Sequence, residues 1–154
     1  MNWKILTIGS TATLALVAIV FFSLFASGAI VTSTRIPSSG TITSVSASSG
    51  LGVYSNSPCT TAASSIDWGT VTPGGSVTKT VYVKNTGSTS VSLGMSTSNW
   101  TPSAANGPIT VSWNQAGTTL APGQVATATL TLQVSSSISG ITSFSNNIVI
   151  TGNA

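Results

Sequence analysis

Between positions 126 and 134 the chain carries Ala126, Ala128, Leu130, Leu132 and Val134 at alternate positions, with Thr127, Thr129, Thr131 and Gln133 between them. Such alternation sorts side chains onto two faces only if the backbone is extended, because a helix would spread the same residues around its axis. The segment is predicted to be a strand with one face on a core and the other in water. The pattern recurs where Val91, Leu93 and Met95 alternate with Ser90, Ser92 and Ser96, and where Ile109, Val111 and Trp113 alternate with Thr110 and Ser112. Thr on the wet face suits a strand, since β-branching favours extended backbone. Further strands are expected over 41–45, 51–54, 66–68, 77–83 and 146–151. Turns at Pro73-Gly74-Gly75, Asn85-Thr86-Gly87, Asn106-Gly107-Pro108 and Ala121-Pro122-Gly123 separate them, in keeping with the φ demands of tight turns. The expectation is an all-β domain over residues 41–154, with seven or eight antiparallel strands in two packed sheets.

The surface of these sheets is hydrophilic almost without charge. Charged residues make up 3% of the chain, against about 25% in an ordinary globular protein. They are Lys4, Arg35, Asp67, Lys79 and Lys84, while 28 Ser and 25 Thr supply polarity in their place. A sequence pI near 9.5 does not make a nucleic-acid binder, because phosphate contacts need a cluster of cations, and Lys79 and Lys84 alone read as solvated positions on or beside a strand. With no His and one carboxylate side chain, the net charge hardly changes from acid to mildly basic solution, which fits an exposed location.

The same inventory argues against catalysis. Zinc sites draw on His, Cys, Asp and Glu, and only Cys59 and Asp67 are present. A second carboxylate for paired acid and base work is missing, and the serines have no evident base. No enzyme activity, cofactor, metal or small-molecule substrate is expected.

Residues 5–31 contain no charge, and residues 14–25 form a nearly continuous apolar run. About 20 apolar residues span a bilayer as a helix. Lys4 favours a cytoplasmic amino terminus and so an external remainder, against which Arg35 weighs slightly. The expected location is the extracellular face of the cytoplasmic membrane, or the cell surface after secretion. Residues 1–31 are read either as a signal peptide cleaved after Gly28 or Ala29, where small residues stand at a signal peptidase's spacing, or as a retained anchor. A pilin-type signal lacks its basic-small pair, since Ile5 follows Lys4. Residues 32–40 read as a polar linker.

The run Trp68-Gly69-Thr70-Val71-Thr72-Pro73-Gly74-Gly75-Ser76-Val77, followed by Val81-Tyr82-Val83-Lys84-Asn85-Thr86-Gly87, resembles immunoglobulin-like domains of archaeal and bacterial surface proteins. In those, a proline-glycine turn leads into a strand closed by Asn-x-Gly. The layout of one secretory helix before one such domain also resembles the TasA and camelysin group of secreted β-sandwich fibre proteins, including archaeal bundling-pilus subunits. The likeness covers the architecture of about positions 40 to 152 and rests on a short motif. It implies an immunoglobulin-like β-sandwich and a subunit that gives an N-terminal strand to the next copy. Thr41, Ile42, Thr43, Ser44 and Val45 are the candidate donor, the other reading being the first strand of their own domain. Strand addition to an open edge is an established mode of association. The metallopeptidase label sometimes given to camelysins does not transfer, for want of ligands.

Cys59, the sole cysteine, is expected as a small buried hydrophobe, with an intermolecular bridge as the other reading. Asp67 is expected to accept backbone N–H groups near a turn. Trp68 and Trp113 read as core, and Trp100 as the end of a strand, where a sugar-stacking platform is the competing reading. Asn99-Trp100-Thr101 is an N-glycosylation sequon followed by Pro102. Two functions compete: a self-associating fibre or envelope subunit, and a membrane-anchored binding module for an envelope protein, similar to stators of archaeal motility machines.

Overall fold

The computed structural model describes residues 38–48 and 50–154. The hydrophobic segment 1–31, the cleavage points Gly28 and Ala29, and residues 32–37 of the expected linker lie outside the described residues. Nine strands follow in chain order among the described residues: β1 (Ser38–Ala47), β2 (Leu51–Tyr54), β3 (Ile66–Val71), β4 (Ser76–Asn85), β5 (Val91–Thr101), β6 (Ile109–Trp113), β7 (Thr119–Leu120), β8 (Val125–Val134) and β9 (Ser143–Asn153). A single 3-10 turn spans Ser103–Ala105.

The odd-numbered strands form a five-stranded sheet in the order β3-β1-β9-β5-β7, and the even-numbered strands a four-stranded sheet in the order β2-β4-β8-β6. Every connection therefore passes from one sheet to the other, and no strand pairs with its neighbour in sequence. The alternation that marked the strands also builds the core. Ala126, Ala128, Leu130, Leu132 and Val134 of β8 are buried, as are Val81 and Val83 of β4 and Phe144, Ile148 and Ile150 of β9. These belong to one hydrophobic cluster with Ile42, Trp68, Leu93 and Ile109. At about 1.5–3 kcal/mol per fully buried large apolar side chain, this cluster is the main favourable term. The turns fall as expected, with Gly74, Gly107 and Gly123 at positive φ.

The end of β4 is tied down by a buried asparagine. Asn85 Nδ2 donates to Thr89 O at 2.7 Å and to Leu120 O at 2.9 Å, while its Oδ1 accepts the Gly87 N–H at 2.9 Å. All three bonds go to backbone, so one side chain fixes the β4–β5 connection against β7.

Three expectations are corrected. Nine strands stand among the described residues rather than seven or eight, because Thr119–Leu120 is too short to show periodicity. The sheets are not wholly antiparallel, since β1 runs parallel to β9. Alternation reports which face a residue takes and nothing about strand direction, and here most of the domain serves as the long crossover that a parallel pair needs. Ser38, Ser39 and Gly40, expected in the linker, are the first residues of β1.

Candidate functional site

The candidate donor residues Thr41, Ile42, Thr43, Ser44 and Val45 all lie in β1. This strand sits inside its sheet, antiparallel to β3 on one side and parallel to β9 on the other. The alternative reading of these residues, as the first strand of their own domain, describes the chain as it stands. Ile42 is fully buried, with Ile66 and Asn146 as its Cα partners on the two flanking strands. Farther along, Ser44 stands opposite Asn147, Val45 opposite Ile148 and Ala47 opposite Ile150, after a register shift between Ile42 and Ser44.

The wall on the β3 side depends on a bulge. The register shifts between Gly40 and Thr41, opposite Gly69 and Asp67. Gly69 has a φ of 68°, a backbone region that costs glycine little, and Asp67 Oδ1 accepts its N–H at 2.8 Å. This bond is the structural role expected of the one acid. The extra residue lets Ile66, Trp68 and Val71 all face the core.

On the β9 side, Gly40 lies opposite Phe144. A Cβ placed on Gly40 would overlap the Phe144 ring, so the ring lies across the bare backbone. Phe144 is 5% exposed, and the Trp100 ring stacks on it at 6.1 Å and 27°. Trp100 Nε1 donates in turn to Thr97 Oγ1 at 3.3 Å. Trp100 is thus at the end of β5, as expected, and its ring packs half-buried against the core.

Both ends of β1 are fastened. The Ser39 N–H donates to Thr142 O, the Ser48 N–H to Ile150 O, and the Gly152 N–H to Ser48 Oγ at 2.9 Å. The turn into β2 closes with the Leu51 N–H on Ser48 O, and Gly50 O accepts the N–H groups of Thr86 and Gly87.

The remaining sequence candidates lie apart from this slot. Asn99 is exposed at a φ of 54°, where the β5–β9 register breaks between Ser98 and Thr101. Trp113 packs half-buried against the core and Trp68 is buried within it. Cys59 is corrected: it is half-exposed rather than buried, at a φ of 54°. The cause is local, because Asn56 Oδ1 accepts the N–H groups of Thr60 and Thr61 and winds the β2–β3 loop tightly in solvent. A groove of about 540 Å³ lined by Pro102, Pro108, Ser135, Ser137, Ile138 and Ile141 contains no titratable side chain. Among the described residues, no three His, Cys, Asp or Glu side chains come together.

Sequence reasoning found the strand but not the fit around it. Gly40 falls in the expected linker, and no sequence pattern marks Phe144. A glycine beside the β-branched stretch Thr41-Ile42-Thr43 is the signal that would have found the contact, since a glycine in a strand often marks close approach by another group. Comparison of the sequence with protein-family models and with curated proteins gives no match. The class defined by fold and site is that of an all-β protein of two sheets, with its first strand seated inside the larger.

Proposed function

We propose that this protein is a non-enzymatic structural subunit of the cell surface. In this reading an immunoglobulin-like β-sandwich, exported by its N-terminal hydrophobic segment, assembles with further copies by passing β1 from one to the next. The observation that carries the reading is the seat of β1 between β3 and β9. A strand there makes the same bonds whether it comes from its own chain or from a neighbour, which is why exchange of an identical element is a low-cost route to assembly. The connection between β1 and β2 is the part that would open. The near-absence of charge supports the reading too, because charge is what commonly keeps strand edges apart.

The test is the mature N-terminus of native surface material, by intact mass, with its assembly state by sedimentation and negative-stain microscopy. A start near Ile30 together with fibres is expected. A start at Met1 in a monomeric membrane fraction would replace this reading with the anchored binding module. That second reading is favoured by one observation, that the chain's own β1 fills its own slot. Asn99, exposed on its bulge, is proposed as the glycan acceptor. The same intact mass checks it, with a hexose-containing increment expected on the native chain and lost in Asn99→Gln.

A further inference from the structure

We infer that Gly40 of β1 and Phe144 of β9 form the contact that fixes the register of β1 and selects the strand the slot accepts, a second copy of this chain's own β1. This rests on the proposal that β1 passes between copies.

The need for a register device follows from the sequence of β1, SSGTITSVSA. Its apolar residues Ile42 and Val45 are three apart, so alternation alone does not hold it in one register, and polar strands of this kind slip readily. Gly40 is its one glycine. Moving the strand one residue either way brings Ser39 or Thr41 under the Phe144 ring, and moving it two brings Ser38 or Ile42. Each carries the Cβ for which the contact has no room. The ring has little freedom to swing aside, being 5% exposed and stacked with Trp100. Aromatic rings laid over strand glycines serve as register pins elsewhere. Here the pin lies across the parallel pair β1 and β9, and it admits only a strand with glycine two residues before its buried Ile.

Three full-length preparations test this: Gly40→Val, Phe144→Ala, and both changes in one chain. Gly40→Val alone should lower the thermal midpoint and cut the assembled fraction about tenfold or more, as overpacking a close contact requires. The double variant should recover most of the thermal loss, because the removed ring makes room for Val. The decisive sample is a mixture of the two single variants. If strands pass between copies, each Gly40→Val chain can donate to a Phe144→Ala neighbour, whose own Gly40 strand fits the intact Phe144 slot, and mixed assemblies form. A double variant no more stable than Gly40→Val overturns the pin, as does a Gly40→Val chain that assembles like the wild type. Recovery in the double variant without rescue in the mixture keeps the pin within one chain and overturns exchange. Should Phe144→Ala fail to fold, Phe144→Leu repeats the scheme with a smaller opening.

Discussion

Asn85 is a buried polar side chain on which several backbone groups depend. It is fully buried, and its three side-chain bonds all reach backbone groups. Asn85→Ala would leave the buried Leu120 carbonyl and the Gly87 N–H without that partner. The expected cost is about 2–4 kcal/mol, read as a lower urea midpoint with an unchanged slope. A loss below about 1 kcal/mol would mean that water takes over the bonds. The turn at Asn85-Thr86-Gly87 was legible in the sequence, because Asn and Gly announce turns. The bond to Leu120 was not, since no local pattern reports a partner 35 residues away.

At the scale of the strand, the open edges differ in how they are kept from pairing. β2 covers β4 only from Tyr82 to Asn85, which leaves the earlier part of β4 as a free edge. Lys79 lies there, directly opposite the buried Leu130 and in phase with Val81 and Val83. It is an exposed charge on the stretch of β4 that β2 leaves uncovered, a recognised barrier to sheet-to-sheet pairing. Lys79→Ile should leave the folded domain intact and promote self-association in light scattering at fixed concentration. An unchanged scattering profile would show that the edge is protected otherwise. On β5 the corresponding device is geometric, a register break at Ser98 to Thr101 carrying Asn99. The sequence disclosed β5, β6 and β8 with their inward faces, and the place of β4, because periodicity is a local property. It could not disclose that β1 would run parallel to β9, since pairing partners are chosen by the whole fold, nor that β7 exists, at two residues.

Taken whole, the molecule has almost nothing to titrate. The described part carries Asp67, Lys79 and Lys84 as its charged side chains, and the full chain has no His. His is the side chain whose unperturbed charge change falls between about pH 5 and 8. The unfolding free energy should accordingly change by less than about 1 kcal/mol across that window, and added salt should have little effect through screening. Urea melts at several pH values and ionic strengths check this, and a sloping profile would reveal a charge interaction that the fold does not suggest.

The strict alternation of strands between two sheets also bears on timing. Because no strand pairs with its successor, a chain delivered amino-terminus first gains few lasting bonds as it emerges. β4 waits for β8, and both β1 and β5 wait for β9. Until that last strand arrives, β1 has only β3 beside it. The final strand thus acts as a clock for the whole domain, and the interval it sets is the period in which β1 is most open to capture by another molecule.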